Sequence, residues 1–421
     1  MVSTFNFATN RRIVLLAAVV WLICASLSPA QTKDSCLDCH SSLPEPLGVN
    51  AETYTQNVHV RKGLTCVACH GGDASSDDPD KSMSRAVGFK GKITRRQIPE
   101  LCASCHADAE RMKKYNPGLR VDQFQLYKTS VHGMKWARGD TNIAVCTDCH
   151  GVHDLRPPSD PRSKVHPTNI ATTCAHCHAD AEYMKPYGIK TDQFASYQKS
   201  VHHEAMSVRG DLSAPTCTTC HGNHGATPPG VANITNVCSN CHVFQAQLFA
   251  SSPHNEVFAA AGLPGCVTCH GNHEIQHPTD ALVGAAPGAL CSNCHTAGDA
   301  GLTQAAVMHD RLSNLASAIA GSEDLLRRAE EKGMEVSQPK LQAAQARDAL
   351  LKARVTIHTF RDADLQRDTD AGLAVTRQTY AAGEKALAEW KFRRIGLGLS
   401  LAMIALTLVG LRLYITVLEK K

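Results

Sequence analysis

Aromatic residues make up only 5% of this 421-residue chain, and large aliphatic side chains are thin between residues 36 and 300. An interior held together by ordinary side-chain burial needs such residues, so a conventional core is excluded there. Charge of one sign is also lacking. The formal net charge is +4, and removing residues 1–30, which carry Arg11 and Arg12, leaves +2. That balance gives no electrostatic footprint for nucleic-acid binding. Long hydrophobic runs are confined to the two ends. Little or no sheet is expected, because the segments between motifs are turn-rich: Asp77–Asp80, Arg156–Pro161 and Thr227–Gly230 are loops by composition.

Cysteine and histidine are abundant, at 19 and 22 residues. In an exported chain that much cysteine first points to a disulfide framework. The spacing excludes it, because 18 of the 19 cysteines fall into one five-residue pattern. The pattern, Cys-x-x-Cys-His, occurs nine times: Cys36/Cys39/His40, Cys66/Cys69/His70, Cys102/Cys105/His106, Cys146/Cys149/His150, Cys174/Cys177/His178, Cys217/Cys220/His221, Cys238/Cys241/His242, Cys266/Cys269/His270 and Cys291/Cys294/His295. Two thiols can form thioethers with the vinyl groups of a haem, and the adjoining imidazole binds its iron, all from one helical turn. Nine covalent c-type haems are therefore predicted. Structural zinc would need paired Cys-x-x-Cys with matched spacing and no adjoining histidine. Each haem adds two propionates, so the loaded protein is expected to be acidic.

The motifs lie in repeats. Residues 102–173 and 174–237 align throughout, a shorter copy begins at Cys238, and a half copy at Cys291 closes the series. Each full module carries two motifs with one histidine between them, usually in Ser-x-His: His59, His132, His202 and His254, with His309 in the half module. A second histidine follows the later motif by three residues at His153, His224 and His273. These eight are expected to be distal iron ligands. The N-terminal module has Asp73 at the second position, so a ninth ligand has to come from elsewhere. His358 is the candidate, with His166 and His277 next, while His203 and His176 are read as bystanders. Gly71, Gly151, Gly222 and Gly271 follow later-motif histidines and are read as sharp turns.

In its tandem CxxCHGxH motifs with upstream Ser-x-His, residues 36–310 resemble the multihaem cytochrome c superfamily. Its members include NapC/NirT-like quinol dehydrogenases, small tetrahaem carriers and octahaem hydroxylamine oxidoreductases. The resemblance implies electron transfer with a quinol-linked membrane donor, such as a quinol oxidoreductase or a cytochrome b, and a periplasmic acceptor. Its alternative is an oxidoreductase acting on a small nitrogen or sulfur compound at one open haem. No Cys-x-x-Cys-Lys occurs, so the lysine-ligated active haem of pentahaem nitrite reductases has no counterpart.

The ends complete the predicted organisation. Residues 1–30 read as a secretory signal, with Arg11 and Arg12 before an apolar stretch and Ser28-Pro29-Ala30 at the cleavage site; Cys24 within it is incidental. Residues 31–301 form the haem domain, mainly helix and coil. Residues 302–394 have helical periodicity and are predicted to make a long helical hairpin, bent at Gly372 and Gly383. Residues 395–418 are predicted to span the cytoplasmic membrane as one helix, with Arg412 near the end and Trp390 and Tyr414 at the interfaces. The haem domain then faces the periplasm.

Overall fold

A computed structural model of the protein describes residues 34–227 and 237–420. The signal segment and most of the 227–230 loop lie outside that range. The described residues form helices and coil with no strand. They divide into two compact units. One comprises residues up to Cys174 together with His224–Ala226; the other comprises Ala175–Asn223 and Thr227 onward.

Most motifs sit on short helices: Ser35–His40, Cys66–His70, Ile98–His106, Cys146–His150, Pro167–His178, Cys217–His221 and Gly265–His270. The motifs at Cys238 and Cys291 use 3-10 turns, Val237–Asn240 and Leu290–Asn293. Gly71 ends its helix at φ 68°, and a Cβ there would lie 2.0 Å from the Gly88 carbonyl oxygen, so no other residue fits. The Ser-x-His pattern is a helix start. Ser130 and Ser200 cap helices Val131–Ala137 and Val201–Ser207, accepting from the amides of Gly133 and His203. Each hydroxyl also donates to a tyrosine carbonyl one turn back, Tyr127 or Tyr197. The serine thereby fixes where the histidine two residues on begins its helix.

The apolar clusters among the motifs are small, Trp136 with Ile143 and Val145, and Ala205 with Met206 and Ala214. The larger ones belong to the C-terminal helices. There the structure differs from the expected hairpin: three helices pack together, Ala300–Glu331, Ser337–Thr356 and Asp362–Leu418. The additional break falls at a 3-10 turn, Ile357–Thr359, followed by Phe360 in the left-handed region at φ 52°. Asp368, 3% exposed, ties the second helix to the third through Lys352 and Thr356. Burial works to raise its pKa, but these bonds and the nearby cations hold the carboxyl below its ordinary value.

Gly372 and Gly383 do not bend the third helix, which is continuous. They let the first helix approach. A Cβ on Gly372 would lie 2.8 Å from a Leu315 methyl, and one on Gly383 would lie 3.0 Å from Leu325. Gly372→Ala is expected to destabilise the bundle by about 1–3 kcal/mol through overpacking. Gly321→Ala, where nothing lies within 4 Å, should instead stabilise it by about 0.5–1 kcal/mol. Thermal unfolding followed by circular dichroism distinguishes the two signs.

The third helix has 57 residues. Its first half packs in the bundle; from Lys391 to Tyr414 every residue is exposed. Leu399, Met403, Leu406 and Leu413 are each more than 60% exposed. An 18-residue stretch of this helix has a mean hydropathy of 2.1, and the helix is long and apolar enough to cross a membrane. Trp390 stands where it begins, with Lys332 Nζ 4.2 Å from its ring centre and Arg394 at 5.5 Å.

Candidate functional site: paired imidazoles along the motifs

The structure sets histidine rings against one another in pairs, each containing one motif histidine. In the first unit, His106 faces His59 with ring centres 5.8 Å apart, His70 faces His153 at 6.4 Å, and His150 faces His224 at 6.0 Å. In the second, His221 faces His273 at 6.0 Å, His242 faces His202 at 6.4 Å, His295 faces His254 at 6.0 Å and His270 faces His358 at 6.1 Å. Rings in direct contact would lie closer. Metal–imidazole bonds of about 2 Å, plus about 1 Å from each nitrogen to its ring centre, put trans ligands about 6 Å apart. The residues therefore fit a haem iron between each pair.

Hydrogen bonds set the tautomers. Nδ1 of His40 donates to the Leu47 carbonyl at 2.9 Å, and that of His358 to the Val355 carbonyl at 2.9 Å. His221 does the same to Thr227 at 3.3 Å. Each bond leaves Nε2 for a metal. His295 Nδ1 instead meets the Asp299 carboxylate at 2.8 Å, a partner that makes the imidazole a stronger donor to iron. Asp299 also caps the first bundle helix through the Gly301 amide. Burial, and then the facing ring, lowers the pKa of His59, His202 and His254, and His150 falls to about 4 for the same reasons. Neutral imidazole is the form that binds a metal.

The cysteines bring successive motifs together. Sγ of Cys36 and Cys66 lie within 4.8 Å of each other and of an Asp34 carboxylate oxygen. Such a cluster could hold a metal ion were the two thiols not both members of haem-attachment motifs. The Cys102 and Cys146 thiols are hydrogen-bonded, as are those of Cys238 and Cys266; in each case that hydrogen bond, before burial, drives the first thiol up and the second down. Between modules, Cys69 lies near Cys102 and Cys105, Cys220 near Cys241, and Cys269 near Cys291 and Cys294.

Two of the expected thioether cysteines are placed by their own helices. Cys149 is exposed on helix Cys146–His150, where its charge acts on the Cys146 thiol and the Tyr127 hydroxyl. Cys177 is half-buried in helix Pro167–His178, and its carbonyl accepts from the Asp180 amide at 3.0 Å. Each directly precedes its motif histidine, His150 or His178. No disulfide joins the described motif cysteines.

The remaining histidines behave differently. His309 donates Nδ1 to the Asp280 carbonyl at 3.1 Å, but among the described residues its ring faces no motif histidine. His166 is buried and bonded to Thr168 at the start of helix Pro167–His178. Among the described residues His277 meets only the neighbouring Pro278 carbonyl, and His203 packs on Tyr197. One contributor had no sequence signal: Phe360 lies 4.0 Å from the His254 ring. The turn Ile357–Phe360 thus places His358 against His270 and Phe360 against His254, the partner of His295. A left-handed non-glycine residue is strained, and such strain collects at functional sites.

Residues 58–178 match the cytochrome c3 family, and residues 257–300 match the doubled CXXCH motif. The chain is 36% identical over 213 residues to the C-type polyheme cytochrome OmcC of Geobacter sulfurreducens, covering 44% of this chain and 26% of that protein. It is 24% identical over 138 residues to the cytochrome c-type protein NrfB of Haemophilus influenzae, covering 31% of this chain and 50% of that protein. The chain thus spans about a quarter and a half of the lengths of these curated relatives. No solved structure matches. Motifs, ring pairs and relatives agree in supporting a multihaem c-type cytochrome, with haem c binding and electron transport as the supported role.

Proposed function

We propose that the protein is a membrane-anchored nonahaem cytochrome carrying electrons between a quinol-linked donor in the membrane and a periplasmic acceptor. The observation that carries this reading is how its modules interlock. The histidine between two motifs faces the first motif of the next module: His59 with His106, His202 with His242, His254 with His295. The histidine after a module's second motif faces the second motif of the module before: His153 with His70, His224 with His150, His273 with His221. His132 holds the same repeat position as His202. The half module lacks a second motif, and His358 from the bundle supplies its missing partner to His270.

A bound haem c supplies an iron that takes up and releases one electron, and two imidazole ligands in place of His/Met keep its potential low. The chain's own residues fix ligand geometry, exclude water from the buried rings and join consecutive motifs at their cysteines. Within each unit this arrangement supports haems that follow one another in sequence order. The apolar end of the third helix would hold the protein at the cytoplasmic membrane, with residues 31–390 exported.

The order is tested by injecting less than one electron per chain photochemically and following the haem bands. The bands of all haems in a unit are expected to reach redox equilibrium as one phase. Separate phases, with some haems reduced only by a second collision with the reductant, would contradict the proposal.

A further inference from the structure

The interlocking leaves two histidines unmatched among the described residues. His40, in the first motif, would be faced by a ring from another module, and no imidazole among the described residues faces it. His309 is the between-motif histidine of the half module, and its ring faces no motif histidine among the described residues. The ninth ligand is therefore missing at a different place from the one Asp73 marks. In the repeat pattern, a histidine at Asp73 would serve a module before the first.

His40 is nonetheless prepared as an iron ligand. It ends helix Ser35–His40 beside Cys36 and Cys39. Its Nδ1 donates to the Leu47 carbonyl, and its own carbonyl accepts from the Val49 amide. These bonds hold the loop after it to the ring and direct Nε2 to the metal. In the same unit, His59, His70, His106, His150, His153 and His224 face one another in pairs, and His132 has an interaction of its own. His166 is 7% exposed and bonded to Thr168. The loop from Ser41 to Leu47 is exposed throughout, so solvent reaches this end of the series.

Resting on the ligation reading above, we infer that the haem on Cys36 and Cys39 is five-coordinate, with His40 on one face and the other face open to a small exogenous ligand. The ligand class is a neutral diatomic on the ferrous iron or a small anion on the ferric iron. The terminal haem is thus a binding site as well as a relay.

The test uses the full-length, haem-loaded protein. The oxidised protein is expected to show one high-spin ferric iron in its electron paramagnetic resonance spectrum. The dithionite-reduced protein should take up one carbon monoxide per chain. The double variant Cys36→Ser/Cys39→Ser should lose the mass of one haem, the high-spin signal and all carbon monoxide uptake, while the other haem bands remain. Those remaining bands also report that the variant has folded. Wild-type protein with only low-spin irons and no carbon monoxide uptake would overturn the inference, because residues 1–33, another copy's His309 or some other group would then fill the sixth position. Uptake that survives in the double variant would overturn it as well. Failure of the electron-equilibration experiment would leave the carbon monoxide stoichiometry unchanged, so the two proposals fail separately.

Discussion

His358→Ala is expected to convert one haem from low spin to high spin and to add one carbon monoxide per chain to the uptake of the reduced protein. His358 faces His270 with ring centres 6.1 Å apart, and its Nδ1 is held by the Val355 carbonyl. Alanine removes the imidazole without moving the turn, because the turn is fixed on both sides. Thr359 is buried, and Arg361 reaches the Ser251 carbonyl at 2.7 Å. Phe360 should stay against His254, so the haem on His295 should keep its spectrum. His277→Ala provides the control: among the described residues that ring meets only the Pro278 carbonyl, and no haem band should change. An unchanged spin state in His358→Ala would reduce His358 to a surface residue of the bundle. It would also remove the reason for attaching a three-helix bundle to a haem domain.

Ending the chain after Trp390 is expected to move the protein from the membrane fraction entirely into the soluble fraction, with every haem retained. The bundle keeps its packed residues, since the last buried position of the third helix is Ala386. What is removed is a helical segment that packs on no other element among the described residues and whose apolar side chains are exposed. An exposed apolar surface that size is not tolerated in water. Each central Leu, Ile or Val favours the bilayer by about 0.3–0.6 kcal/mol, and Arg412 lies near enough to the end to reach the interface. Detergent-free extraction followed by ultracentrifugation makes the measurement. Continued sedimentation of the truncated protein with membranes would move the anchor to residues 1–30.

Much of this was legible in the sequence, because haem attachment and the helix starts are local. Cys-x-x-Cys-His states its chemistry within five residues, and Ser130 and Ser200 signal the helix that carries the next histidine. Partner assignment was not legible. The facing rings come from different modules, so a count of candidates within each module does not pair them, and among the described residues His309 faces no motif ring. The bundle was misjudged for a different reason. Gly372 and Gly383 read as flexible points, but their value lies in the side chains they omit beneath Leu315 and Leu325. The break at Phe360 carries no glycine or proline; its residue is left-handed and packs against His254. The apolar C-terminal run was recognisable because length and composition alone decide it.

Interlocked ligation requires every motif to carry its own haem. Intact mass spectrometry of the purified protein measures this directly. The expected result is a polypeptide mass increased by nine haems, with no motif cysteine, Cys149 and Cys177 included, left open to alkylation. A protein that carries seven or fewer haems, with free thiols in the remaining motifs, would contradict it.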